Sequence, residues 1–410
     1  MQQHPLAVIL NIKPEQKAQL KDILHTIQAD INNNPYLRFP EITTTHFARF
    51  VLIGGGIKAT RDLETRLYFS ANHDGEWEEY IDLLLDKAGK ALEAIFSACE
   101  GYPNVSLTDP AFKARFKDYL RANSCQVNTF YQGYPGKSVQ EVQHSIERHA
   151  VLERLANQKG LDGIKAEFKP SSGPAFGNII SKIWDNTGGK LISIITAPLR
   201  DFLGNVLKKL LDFVLGKIVG IRLFPETLPP LQEPSPEVDT RIAQTDYLES
   251  VQNEMTTISA IDPKQLRALK IMLWIVNMAA RYLFNKGELG GISTIHFARW
   301  IIIDNGKTLL FESNYDGNWE QYIGDFVDKA AFGMNSIWGN SDPSVNYPKY
   351  GAKDLQTFKK VIIDHQVPAA VFYTAYRNDS VRNILNDLAI DNLFGGAKSS
   401  DAFNELTSRL

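Results

Sequence analysis

Cysteine is nearly missing from this chain: only Cys99 and Cys125 occur in 410 residues. Two thiols cannot build a disulfide framework or a paired-cysteine metal cluster, and a reducing compartment is expected. Positive charge is not in excess either. A net charge of −3 and a pI near 6.3 exclude the basic footprint of a general nucleic-acid binder. No run of about 20 apolar residues free of charges is present, so no helix is expected to span a membrane. Residues 1–16, MQQHPLAVILNIKPEQ, have no basic n-region and too short an apolar run for a signal peptide; they read as a first strand. HExxH, Gly-x-Ser-x-Gly and P-loop signatures are all missing. The glycines of IGGGIK (53–58) lie between two strands, not between strand and helix, so they make no dinucleotide fingerprint.

What the chain does carry is a second copy of itself. ESNYDGNWEQYI (312–323) answers SANHDGEWEEYI (70–81). The match extends to TTTHFARFVLI (43–53) with STIHFARWIII (293–303), which aligns His46 with His296 and Arg49 with Arg299. FKDYLRANSCQVNTFYQGYPGKSV (116–139) aligns with FKKVIIDHQVPAAVFYTAYRNDSV (358–381), setting Phe130, Tyr131 and Tyr134 against Phe372, Tyr373 and Tyr376. NIKPEQKAQLK (11–21) loosely matches AIDPKQLRALK (260–270). The blocks keep the same order, which is the signature of an internal tandem duplication.

Each copy reads alike. A strand (6–12, about 254–261) meets a proline suited to a first helical turn. The helix that follows (14–30, 263–286) carries Leu20, Ile23, Leu24 and Ile27 at helical spacing. A β-hairpin comes next, and Asp304-Asn305-Gly306 is a strong turn signal because its residues tolerate positive φ. A second long helix, with Trp77, Tyr80, Ile81 and Leu84 on one face, a shorter helix and a fourth strand complete the unit. The fold class expected is α+β, a tandem ferredoxin-like βαββαβ whose two bare sheet faces pack together as an intramolecular barrel. The boundaries are 1–159 for the first repeat, 160–250 for a helical insert and Pro-rich linker, and 251–410 for the second repeat. This element order resembles the dimeric α+β barrel superfamily, which includes dye-decolorising peroxidases, chlorite dismutases and small cofactor-free monooxygenases. The resemblance implies an oxidoreductase, peroxidase-like, with haem or a hydrophobic small molecule in a barrel pocket.

The insert departs from both copies. Leu199, Phe202, Leu203, Val206, Leu207, Leu210, Leu211, Val214 and Ile218 follow one helical stripe. Across 177–224 Lys182, Lys190, Arg200, Lys208, Lys209, Lys217 and Arg222 face only Asp185, Asp201 and Asp212, so this stretch is positive in a negative chain. One reading places it in a membrane interface; the other packs it on the barrel or on another subunit, making a homo-oligomer. FPETLPPLQEPSPEVD (224–239) reads as an extended connector. A cytoplasmic protein, peripheral to a membrane, is the expected setting.

Candidates for chemistry fall in the repeated blocks. Asp74 and Asp316 stand at a strand end before a helix, where they either cap the helix through a tight Asp-Gly turn or aim a carboxylate into a cavity. Dye-decolorising peroxidases carry a Gly-x-x-Asp-Gly phrase whose Asp handles peroxide protons beside a haem-facing Arg. Its Asp-Gly is present here, which makes Asp74, Asp316, Arg49 and Arg299 the candidate catalytic residues. Strand alternation sends His46 and Arg49, like His296 and Arg299, to opposite faces unless a bulge intervenes. Such an arginine either polarises a ligand or pairs with a nearby acid such as Asp74. Candidate cofactor residues are His46, His296, the helix-borne His144 and His149, and Tyr131 and Tyr373. The tyrosines fill the core or, in a hollow barrel, line a pocket. A non-enzymatic lipid- or small-ligand-binding protein, or a scaffold with a filled barrel, is the alternative function.

Overall fold

The computed structural model describes residues 2–54, 64–103, 105–167, 220, 222, 224–225, 227, 229–230, 233–246, 250–284, 287–395 and 400–410. Of the cationic stretch 177–224 only residues 220, 222 and 224 are among them, so the amphipathic helix expected there lies outside the described residues. The chain forms two compact units, Met1–Gln143 with Phe224–Asn383, and His144–Leu223 with Ile384–Leu410. Both sequence copies contribute to the first.

That first unit is mixed α+β. The first half gives β1 (Gln3–Asn11), α1 (Lys17–Ala29), β2 (Thr45–Gly54), β3 (Glu64–Asp74), α2 (Trp77–Phe96), α3 (Phe112–Ala122), β4 (Val127–Gln132) and the start of α4 (Val139–Glu167). After α5 (Pro236–Ala243), which turns the end of the expected extended connector into helix, the second half repeats the series. It gives β5 (Gln252–Ala260), α6 (Leu266–Tyr282), β6 (Ile295–Ile303) and β7 (Thr308–Asp316). Then come α7 (Trp319–Lys329), α8 (Ala331–Trp338), α9 (Leu355–His365), β8 (Val371–Thr374) and α10 (Val381–Gly395).

Two four-stranded antiparallel sheets result, ordered β1-β3-β2-β8 and β4-β6-β7-β5. The fourth strands are therefore exchanged. Each leaves its own half within a few residues. Cys125 N donates to Ala7 O at 2.8 Å before β4 crosses to β6, and Val367 N donates to Thr256 O at 2.9 Å before β8 crosses to β2. The segments leading into β4 and β8 thus meet the outer strand of their own half through isolated bridges, Ser124 with Val8 and Gln366 with Thr257.

Each sheet is covered on both faces, which is why β2 and β5 are apolar or buried along nearly their whole length. Ala48, Phe50, Leu67 and Phe69 pack outward on Leu20, Ile23, Leu24 and Ile27 of α1 and on Tyr80, Ile81 and Leu84 of α2. The second half repeats this with Trp300, Phe311, Leu269, Leu273, Trp319 and Tyr322. Trp319 is a fully buried anchor, whereas its twin Trp77 is half-exposed beneath Arg121, whose guanidinium lies 4.6 Å from the ring. Both long helices break at one aligned position: Ala88 interrupts α2 with φ −133°, and Ala330 separates α7 from α8 with φ −126°. Between the sheets, Ala7, Val51, Ile53, Tyr68, Ile258, Ile301, Ile303 and Leu310 form an apolar cluster.

The second unit has a small core of Leu152, Ile390 and Leu406, drawn from α4, α10 and α11 (Ser400–Arg409). No helix among the described residues is long and apolar enough to cross a membrane.

Candidate functional site

The space between the sheets holds two linked polar assemblies, each nearly two-fold symmetric in sequence. Their common origin is a β-bulge. Thr45 pairs with His73 and Phe47 with Asn72, so His46 is the extra residue; Ile295 and Phe297 leave His296 extra in the same way. The bulge overrides simple alternation. His46, Phe47 and Arg49 all face inward, and so do His296, Phe297 and Arg299.

In the first assembly, His46 Nε2 lies 2.9 Å from Asp74 Oδ1, while its Nδ1 meets the Tyr376 hydroxyl from the other half. His296 Nε2 lies 2.7 Å from Asp316 Oδ1, and its Nδ1 is 3.1 Å from the Tyr134 hydroxyl. Each network fits an Nε2–H donated to the carboxylate and a tyrosine hydroxyl donated to Nδ1. The two tyrosine rings are 6.2 Å apart, with Phe47 and Phe297 5.6 Å apart alongside. Burial holds both phenols well above their ordinary pKa, so they stay protonated at neutral pH. The second oxygens of the aspartates are used too. Asp74 Oδ2 accepts from Val139 N at 2.7 Å and Asp316 Oδ2 from Val381 N at 2.8 Å, at the starts of α4 and α10. These carboxylates cap the helix after the fourth strand, not the helix that directly follows the Asp-Gly turn.

The second assembly centres on two buried arginines. Arg299 donates to Leu6 O at 2.6 Å, Ala71 O at 3.0 Å and Asn72 Oδ1. Arg49 mirrors it, donating to Met255 O at 3.1 Å, Ser313 O at 3.1 Å and Asn314 Oδ1. Phe130 and Phe372 lie beneath the respective guanidiniums at 5.5 and 5.8 Å. The acids that neutralise them break the symmetry, because both come from the second half. Glu254 Oε2 takes Arg49 Nη1 at 2.8 Å, and Glu312 Oε1 lies 2.9 Å from Arg299 Nε. Tyr68 and Ser70 hydroxyls each donate to Glu312 Oε2 at 2.7 Å, and Ala369 N donates to Glu254 Oε1 at 2.9 Å. Burial lifts the Glu254 carboxyl above its usual range despite Arg49. Burial also pulls Glu312 upward, but Arg299, Arg49 and the two hydroxyls outweigh it and hold that carboxyl below the usual range. Removing one partner of such a pair strands a buried charge, at a typical cost of about 3–5 kcal/mol.

No family model, no curated protein and no solved structure matches this chain.

The candidate residues divide as follows. Arg49, Arg299, Asp74, Asp316, His46 and His296 gather in the interior of the first unit, all engaged with partners inside the chain. The acids paired with the arginines are Glu254 and Glu312, not Asp74. Tyr131 and Tyr373 face the helices; Tyr373 stacks on Phe39 at 4.7 Å, and the buried Tyr131 hydroxyl has no hydrogen-bond partner among the described residues. His144 and His149 belong to the second unit, where His149 Nδ1 sits 2.6 Å from Asp387 and His144 is exposed 4.0 Å from Asp391. A cleft of about 230 Å³ reaches Glu254 between Arg241, Asp246 and Gln366, and surface grooves of about 470 and 510 Å³ lie beside β8 and α2. None of these three hollows is lined by Arg49, Asp74, Arg299 or Asp316.

Sequence reasoning passed over Glu254 and Glu312. The signal for Glu312 was available: it shares strand parity with Asn314 and Asp316, so one inward face carries all three. Glu254 aligns with Pro5, outside the matched blocks, and nothing in the repeat points to it.

Proposed function

We propose that the chain is a non-enzymatic scaffold: a duplicated ferredoxin-like unit closed as a filled barrel of the dimeric α+β kind, acting at a membrane surface through segment 177–224. The observation that carries the scaffold reading is the internal neutralisation of the barrel's chemistry. Arg49 and Arg299 are matched by Glu254 and Glu312, and both nitrogens of His46 and of His296 have partners within the chain. A group that must bind a ligand from solution would first have to abandon those contacts. The cationic amphipathic composition of 177–224 supports the membrane contact.

A second reading, an oxidoreductase of peroxidase type with haem as cofactor, draws support from the paired Asp–His–Tyr networks and their adjacent phenols. Expression with haem supply followed by absorption spectroscopy separates the two. The scaffold reading expects no Soret band. A stoichiometric Soret band that disappears on His46→Ala or His296→Ala would replace it with the second.

A further inference from the structure

The outer face of α6 is out of keeping with its place in the fold. The helix buries Ala268, Leu269, Met272 and Leu273 against the second core, so its opposite side should be polar. Instead Trp274 is 61% exposed, and at the helix end Tyr282 and Leu283 are 72% and 74% exposed. Lys270, Trp274, Met278 and Tyr282 succeed one another at a spacing of four, so they form a single stripe. From 264 to 286 the sequence has no Asp or Glu, while Lys264, Arg267, Lys270, Arg281 and Lys286 are basic, in a chain of net charge −3. Arg267 and Lys270 make no ion pair among the described residues.

The fold does not require this face. The matching helix of the first half, α1, has the same inward anchors, but its outer side is Lys21, Asp22, His25 and Thr26, with His25 where α6 has Trp274. The apolar stripe and the loss of acids are therefore particular to the second half. Tyrosine and tryptophan have an apolar body and a polar tip suited to a headgroup boundary, and basic neighbours without acids match anionic headgroups.

We propose that the exposed face of α6 is an interfacial docking surface for an anionic lipid bilayer. This rests on and deepens the membrane-surface reading above, by giving it contact residues within the folded unit. The side chains concerned point away from the core, so substituting them leaves the fold intact, which thermal melting verifies.

The test is co-flotation of the full chain with vesicles of phosphatidylcholine alone or containing one-third phosphatidylserine. Three changes are compared: Trp274→Gln with Tyr282→Gln, Arg267→Gln with Lys270→Gln, and deletion of 177–224. The wild type is expected to float with the anionic vesicles. The charge variant should partition roughly thirty-fold less, at about a factor of five for each basic residue near the surface. The aromatic variant should lose at least ten-fold on either vesicle. Unchanged flotation of both α6 variants, with loss on deletion, would overturn this proposal and leave the segment reading standing. Loss with the α6 variants but not on deletion would support the proposal and remove the segment. A wild type that floats with neither vesicle sinks both. A lipid-free dimer in light scattering that becomes monomeric in the aromatic variant would make this face a self-association surface and overturn the proposal.

Discussion

His73 and Tyr315 hold the same place in the two halves, each stacked on the tyrosine of the following helix. His73 lies 3.9 Å from Tyr80 with rings 4° apart; Tyr315 lies 3.8 Å from Tyr322 with rings 3° apart. The histidine has an added liability. Its Nδ1 is 3.2 Å from Asp74 O, its Nε2 has no hydrogen-bond partner among the described residues, and burial pushes its pKa down to about 3. The folded protein therefore refuses a proton that the unfolded chain accepts below about 6.5, and stability falls as pH drops through that window. Between pH 7 and pH 5 the loss from this group should be about 2 kcal/mol. His73→Tyr copies the other half's stack and should remove most of that slope, as urea unfolding at the two pH values would read. An unchanged slope would show that the ring is not buried neutral. Glu312 acts on the same side: its depressed carboxyl stabilises above the ordinary carboxylate range, and that stability is lost as pH falls further. Glu254 has the opposite sign, because its raised carboxyl is most comfortable protonated and weighs against folding as pH rises through its titration.

At the level of elements, the turn between β6 and β7 is the clearest case of sequence dictating backbone. Asp304, Asn305 and Gly306 have φ of 54°, 54° and 90°, the left-handed region that the Asp-Asn-Gly string invites. A Cβ at Gly306 would also come within 2.7 Å of Leu266 Cδ2. Gly306→Ala should therefore cost about 1–2 kcal/mol from conformation alone, with more from the displaced leucine. Asn305→Gly should be neutral or slightly stabilising, since glycine adopts that φ without penalty. Thermal melting of the two variants gives the comparison; equal melting temperatures would contradict it. This turn was legible, as were the order of elements and the inward stripe of α1, because each depends on neighbours in the chain. The bulge at His46 was not. A single inserted residue leaves no periodic trace in a strand buried on both faces, yet it decides that His46 and Arg49 share one side. The helix that Asp74 caps was hidden for a similar reason: its N–H donor, Val139, is remote in sequence.

For the whole molecule, duplication revealed the two sheets but concealed which strand joins which. The edges offered to a fourth strand carry the same His-Phe-Ala-Arg sequence in both halves, so nothing local distinguishes a strand's own edge from its twin's. The exchange has a testable consequence. Each half lacks a strand that the other provides, so fragments 1–159 and 224–410 should not fold cooperatively alone, and mixing them should restore one complex. Topology alone would let two copies of one half pair with each other, but charge forbids it. The positions of Glu254 and Glu312 are Pro5 and Ser70 in the first half, by the shared pairing of β1 with β3 and β5 with β7. A pair of first halves would bury two Arg49 guanidiniums with no acid, and a pair of second halves would bury four glutamates against two Arg299. Each unpaired buried charge costs several kcal/mol. Size-exclusion chromatography with far-UV circular dichroism should therefore find a one-to-one heterodimer and neither homodimer. Introducing Ser70→Glu alone into the first fragment supplies one acid for each Arg49, as Glu312 does for Arg299 across the equivalent strand pair, and should promote its homodimer, whereas a wild-type 1–159 that folds as a monomer would show that the exchanged strand is dispensable.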